Sequence, residues 1–148
     1  MITVLQRVKG ANVKVEGKII SDIGQGLLVL VGIHQTDTAE DASYLANRIP
    51  VLRIFADEAG KMNKSLLDIK GELLLVSQFT LLGDVYQGRR PGFTDAAPPE
   101  KAVPLLAELK AGIEKQGVRV KECQFGAHME IELVNDGPVT FIIDSHHK

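Results

Sequence analysis

Three short segments of this 148-residue chain carry side chains able to do chemistry. Ser77-Gln78-Phe79-Thr80 follows the apolar run Leu73-Leu74-Leu75-Val76 and sets three hydrogen-bonding side chains around one aromatic ring. Strand ends often carry such residues to satisfy backbone groups, so the segment reads first as a strand end and only second as a site. Asn135-Asp136-Gly137-Pro138-Val139-Thr140 reads as a tight turn feeding a last strand. A Gly-Pro bond is also one of the few places where a cis peptide occurs, and glycine lets a ligand or another chain approach the backbone closely. Gly88-Arg89-Arg90-Pro91-Gly92-Phe93 places two guanidinium forks and an aromatic on a loop. Such forks suit phosphate, although a loop with two arginines is commonly just solvated.

Other chemistries find little support. His34, His128, His146 and His147 form no His-x-x-x-His pair and are not expected beside a carboxylate cluster, so no metal site is predicted. Glu130 and Glu132 share one face of a predicted strand, but Ile131 and Leu133 on the other face make them the solvated side of a sheet. Cys123 has no activating neighbour and reads as a small buried residue; as the single cysteine it excludes an internal disulfide. A Gly-x-Ser-x-Gly elbow, a Walker loop and a dinucleotide fingerprint are all missing.

The elements that must position these residues belong to one domain. Hydrophobic residues at 45% and charged residues at 24% are an ordinary globular balance, and this length suits a single core. A net charge of −2 gives no chain-wide basic field, so any nucleic-acid contact must be local. The beginning shows no cleavable leader pattern and the apolar run Leu27–Ile33 is too short to span a bilayer, which leads to the expectation of a soluble, cytoplasmic protein without membrane contact.

Strand patterns are expected over residues 2–8, over Val13–Ile20 as a hairpin turning at Gly17-Lys18, and over Gly26–Ile33, Val51–Phe55, Glu72–Val76, Val118–Cys123, Met129–Val134 and Val139–Ile143. One helix is predicted from the caps Thr36-Asp37-Thr38 to about Ile49, with Ala42, Leu45, Ala46 and Ile49 on one face. A second runs from Glu100 to Gln116 before the stop at Gly117, with Val103, Leu106, Leu109 and Ile113 inward. Strict β-α alternation is absent, so the prediction is a single α+β domain over 1–143, a mainly antiparallel sheet or open β-barrel with two main helices. Residues 144–148 are expected as a polar, frayed tail.

Taken together, Ile2-x-x-Leu5-Gln6-Arg7-Val8, Ser77-Gln78-Phe79-Thr80-Leu81, Arg90-Pro91-x-Phe93 and Asn135-Asp136-Gly137-Pro138-Val139-Thr140 resemble the bacterial D-aminoacyl-tRNA deacylases, also called D-tyrosyl-tRNA deacylases. The likeness spans about residues 1–143, with Gly92 standing where that family more often has serine. It implies a cytoplasmic homodimer that hydrolyses the ester of D-aminoacyl-tRNA, and of glycyl-tRNA mischarged on alanine tRNA, without metal or organic cofactor. It further implies that Gly137-Pro138 is held cis and enters the partner subunit's site beside Ser77, Gln78, Phe79 and Thr80. Arg7 and Asn135 would support that turn, Phe125 and Met129 would flank the adenosine, and Arg89 and Arg90 would touch the tRNA backbone. The animal-type relatives that act on L-alanine carry proline before the glutamine, so Ser77 favours the D-specific branch.

Two mechanisms remain open at this point. Thr80 acts as nucleophile or orients water, or the 2′-hydroxyl of the terminal ribose activates water while backbone N–H groups hold the oxyanion. The alternative from another class is a non-catalytic RNA-binding or dimerisation domain using the same turn as a clamp.

Overall fold

In the computed structural model, residues 1–147 are described. The chain begins with β1 (Ile2–Val15), the hairpin partner β2 (Lys18–Ile23) and β3 (Gly26–Gly32). Next come α1 (Ala39–Arg48), the short pair β4 (Phe55–Ala56) and β5 (Met62–Lys64), and β6 (Glu72–Ser77). It ends with α2 (Pro99–Glu114), β7 (Arg119–Glu122) and β8 (Glu130–Asp144).

β1 organises the main sheet because it is long enough for two neighbours on one edge. Ile2–Val8 pairs with β3 and Ala11–Val15 pairs with β2, while β8 runs antiparallel along the opposite edge. β3 and β6 are parallel, as are β6 and β7, so the sheet is mixed rather than mainly antiparallel. The reason is connectivity: α1 lies between β3 and β6, and α2 between β6 and β7, and a helical crossover carries the chain back to the end of the sheet at which the previous strand began. β2 then folds toward β7, where Ser21 Oγ donates to the Glu122 carbonyl and Lys121 Nζ to that of Asp22, nearly closing the sheet into a barrel.

The apolar runs are explained by burial on both faces. Leu27, Val29 and Val31 of β3, with Leu73 and Leu75 of β6, pack against Leu45 and Ile49 of the α1 region and Leu109 and Ile113 of α2. The alternate residues Leu28, Leu74 and Val76 fill the barrel interior with Val8, Val13 and Ile23. The predicted α1 face is buried as expected. In α2 the stripe is instead Ala102, Leu105, Leu106, Leu109 and Ile113, and Val103 is 45% exposed. Ala102 and Leu105 complete a continuous helical face with Leu106 and Leu109 that Val103 would leave.

Other expectations also change. Val51–Phe55 is not a strand: Pro50 sits inside a single 3-10 turn, Ile49–Val51, and only Phe55 and Ala56 pair. The two last predicted strands are one: β8 keeps its direction past Asn135–Pro138, which form a bulge within it rather than a turn between two strands.

The predicted frayed tail is anchored, and Lys148 lies outside the described residues. Ser145 is fully buried, and its N–H donates to the Met1 carbonyl at 2.8 Å. The Met1 amino group donates to Asp37 Oδ1 at 2.6 Å and to Ser145 Oγ at 2.7 Å, and Ser145 Oγ donates to Asp41 Oδ1 at 2.8 Å. His146 Nε2 stands 2.9 Å from Asp37 Oδ1, so this histidine does sit beside carboxylates, contrary to the expectation from sequence. The side chains of Asp37, Asp41 and His146 converge within 4.8 Å, but the Met1 ammonium already fills the cationic position there. The linkage ties both ends of the chain to the start of α1.

Burial raises the Asp41 carboxyl, but the Thr38 N–H, the Ser145 hydroxyl and the Met1 ammonium outweigh it and hold the group below the ordinary carboxylate range. A depressed acid stabilises the fold above its unfolded value and loses that contribution as pH falls through the folded value. Asp41→Asn is therefore expected to be less stable than wild type at neutral pH, with the gap closing as pH falls below the ordinary carboxylate range, as read by urea denaturation at neutral and at acid pH. Asp37→Asn, which takes from the buried ammonium the carboxylate in direct contact with it, should cost about 3–5 kcal/mol at neutral pH.

Candidate active site

Parallel pairing brings the carboxyl ends of β3 and β6 side by side, with Val31 opposite Ser77. In sheets of this kind the space beyond those ends is where ligands bind. The Gln78 N–H donates to the Val31 carbonyl at 2.8 Å, and the chain then leaves the sheet in a 3-10 turn, Phe79–Leu82. The first N–H groups of such a turn have no acceptor within it, so those of Phe79 and Thr80 are available to a ligand. Gly32 makes room for this turn: a Cβ there would lie 3.0 Å from Leu81 Cβ and 3.2 Å from the Gln78 carbonyl oxygen.

A cleft of about 520 Å³ opens at this point, a size suited to a nucleoside-sized ligand. Val31, Ile33 and Val76 form its floor, and Ser77, Gln78 and Phe79 form one lip. Phe125, His128 and Met129, from the segment between β7 and β8, line it as well. Phe93 closes another side and meets Phe79 edge to face, with ring centroids 5.0 Å apart. Ser77 is backed by Cys123, whose sulfur accepts the Ser77 N–H at 3.4 Å; the cysteine is half-buried rather than buried. Gln78 Nε2 donates to Thr80 Oγ1, and Thr80 itself is exposed at the rim.

The second predicted segment lies elsewhere. Val8 pairs with Asn135 and Gln6 with Thr140, so residues 136–139 of β8 stand opposite Arg7 alone and must bulge from the ladder. Gly137 has φ +151° and the Gly137–Pro138 bond is cis. Arg7 Nε donates to the Asp136 carbonyl at 3.0 Å and pairs with its carboxylate at 3.2 Å, while Nη1 donates to the Ile54 carbonyl at 2.8 Å. Asn135 Nδ2 donates across the base of the bulge to the carbonyls of Arg7 at 2.9 Å and Val139 at 3.0 Å. The result is a main-chain corner fixed at its root, with Gly137 and Pro138 exposed and neither lining this chain's own cleft.

The family model for D-Tyr-tRNA(Tyr) deacylase matches residues 4–144. This chain belongs to that deacylase family. Curated D-aminoacyl-tRNA deacylases from Geobacillus sp. (strain WCH70) and Thermosipho melanesiensis are 51% and 55% identical to it. The matches cover 100% and 98% of this chain and 97% of each relative. Among solved structures, a c-Myc DNA Unwinding Element Binding Protein superposes with a TM-score of 0.91 at 40% identity, over 97% of this chain and 98% of that one. A probable eukaryotic D-amino acid tRNA deacylase superposes with a TM-score of 0.82 at 18% identity, over 96% and 97%, a likeness of fold. Membership makes the chain an enzyme, a hydrolase of the deacylase type.

Within this deacylase fold, the structure gathers Ser77, Gln78, Phe79, Phe125 and Met129 around one cleft and sets Arg7 and Asn135 under the Gly137–Pro138 corner. Thr80 stands next to the cleft rather than in its lining, and Arg89 and Arg90 are exposed on a separate loop. The Glu130 and Glu132 carboxylates are no catalytic pair: hydrogen bonds from Lys14 and then Asn12 hold Glu132 below its ordinary range on an exposed face. Sequence reading missed His128 and the Phe79–Phe93 contact; the Phe93 aromatic beside Arg90-Pro91 was the available signal for the second. No helix of the described residues is long and apolar enough to cross a membrane.

Removing the Asn135 amide strips two carbonyls of their donor. Asn135→Ala should lower stability by about 1–3 kcal/mol and speed amide hydrogen exchange selectively at Asp136, Gly137 and Val139, measurable by urea denaturation and NMR.

Proposed function

We propose that the D-aminoacyl-tRNA deacylase activity of this chain resides in the cleft beyond β3 and β6, and that the Gly137–Pro138 corner of a second copy completes it as a chiral filter. The observation that carries this reading is the corner itself: a main-chain projection fixed by Arg7 and Asn135, exposed, and outside its own chain's cleft. Telling D from L requires sensing on which side the side chain leaves the α-carbon. Flexible side chains can rotate away from a wrong ligand, whereas fixed carbonyls cannot, so an L side chain collides and a D side chain points outward. Glycine has no side chain on either side, so glycyl-tRNA passes the same filter. The functional unit in this reading is a homodimer, acting in the cytoplasm without cofactor.

For the chemical step we favour substrate assistance. Thr80 Oγ1 receives a hydrogen bond from the Gln78 amide, a neutral donor that does not make the hydroxyl a better nucleophile. The free N–H groups at Phe79 and Thr80 suit a developing oxyanion instead, and one such donor is worth about 10²–10³ in rate. The 2′-hydroxyl of the terminal ribose then activates water, while Phe125 and Met129 offer an aromatic and a thioether surface to the adenine. Arg89 and Arg90 contact tRNA phosphates.

Discharge of D-Tyr-tRNA, L-Tyr-tRNA and Gly-tRNA tests the reading. The D and glycyl esters should be cleaved on the order of 10² faster than the L ester, and equal rates overturn the filter. A domain that binds nucleic acid without hydrolysis would leave all three esters intact. Thr80→Ala should keep most activity, while a substrate ending in 2′-deoxyadenosine should be nearly inert; the opposite pattern makes Thr80 the nucleophile. Arg7→Ala, and equally Arg7→Lys with its single point of charge, should narrow the D-to-L ratio by freeing the corner.

A further inference from the structure

Between the cleft and α2 the chain makes a tongue whose root is fixed and whose tip is free. Asp84 and Gly92 exchange two backbone hydrogen bonds of 2.8 and 2.9 Å, closing residues 85–91 into a loop. Immediately after it, Phe93 packs on Phe79 at the cleft wall. The following residues are tied to the end of β3 through Gln35 N–H to the Asp95 carbonyl and Ala97 N–H to the Ile33 carbonyl, both 2.8 Å. The tip is turned at Gly88, with φ +75°. Tyr86 on this tip is 94% exposed, the most exposed large apolar side chain of the described residues. Arg89 and Arg90 have no ion pair or hydrogen bond among the described residues, and the nearby Asp84 carboxylate is engaged by the Tyr86 N–H at 2.9 Å.

We infer that this tongue is a platform for the unpaired 3′ nucleotides of the tRNA, with the Tyr86 ring stacking on a base and Arg89 and Arg90 meeting the flanking phosphates. The inference rests on the functional reading above: a terminal adenosine seated in the cleft brings the nucleotides before it to the cleft rim, one side of which Phe93 joins to the tongue. An exposed aromatic followed after two residues by two exposed guanidinium groups suits the alternation of base and phosphate in a single strand. Every base has a π-face, so such a platform is tolerant of sequence. A groove for a protein partner would instead need a contiguous apolar patch, and the tip offers one ring and Val85 among polar neighbours.

Fluorescence anisotropy with two probes tests it: uncharged tRNA, and the same tRNA lacking its unpaired 3′ nucleotides. Tyr86→Ala should weaken binding of the intact tRNA about tenfold and leave binding of the truncated one as in wild type. Tyr86→Phe, which keeps the ring, should restore the intact-tRNA affinity. Arg89→Ala with Arg90→Ala should lower the slope of log affinity against log salt by about 1.4, the value for two single-strand phosphate contacts. Equal binding of intact tRNA by wild type and Tyr86→Ala, an equal loss on both probes, failure of Tyr86→Phe to rescue, or an unchanged salt slope would overturn the platform. A wild-type protein that shows the expected binding pattern yet discharges no D-aminoacyl ester would sink the catalytic reading alone.

Discussion

The parallel register between β3 and β6 is the constraint on which the site depends. With Val31 opposite Ser77, the Gln78 N–H reaches the Val31 carbonyl and the chain is turned out of the sheet at that residue. The ladder begins with an approach so close that a Cβ on Gly26 would fall 1.8 Å from the Glu72 carbonyl oxygen. A slip of one residue would exchange the helix-facing set Leu73 and Leu75 for the barrel-facing set Leu74 and Val76. Both sets are apolar, so hydrophobic pattern alone tolerates the slip. The close contact at Gly26 and the turn packed over Gly32 fix the register instead.

A second constraint works on the opposite edge of β1. Its ladder with β8 continues on both sides of Arg7, so the excess residues 136–139 are forced outward as a corner. Arg7 and Asn135 convert that excess into a defined shape, because a planar guanidinium donates to the corner's base and to Ile54 at once while the amide bridges the two strands. β1 therefore links cleft and corner, pairing on one edge with β3 of the cleft-forming β3–β6 ladder and on the other with β8. In the proposed dimer, the rigidity of one ladder in each copy becomes selectivity in the other.

The ends of the chain are held by charge rather than by sheet alone. A buried ammonium at Met1 balances Asp37, and Ser145 passes the interaction to Asp41 at the first turn of α1. Because β1 and β8 both start or finish there, the linkage anchors the strands that carry the corner. Its cost of burial is offset by hydrogen bonds to both carboxylates, including the His34 N–H on Asp37 at 2.6 Å.

Much of this was legible in the amino-acid order. The apolar runs in Gly26–Ile33 and Glu72–Val76, the α1 face, and the motifs at Ser77 and Asn135 depend on local composition and period, which a one-dimensional reading captures. The α2 face is not legible in the sequence, since Val103 fits a helical period as well as Ala102 and Leu105 do. Asn135–Pro138 has the composition of a turn, and nothing local reveals that β1 pairs on both sides of it. The parallel ladders, the approach of Phe93 to Phe79, the burial of Ser145 and the place of His146 beside Asp37 all join residues distant in sequence. Local sequence thus determined the two helices, most of the strand segments and the polar end of β6, though not the 3-10 turn at Pro50 or the continuity of β8. Only tertiary pairing decided which ends met, because those contacts depend on register and chain crossing rather than on the character of any one segment.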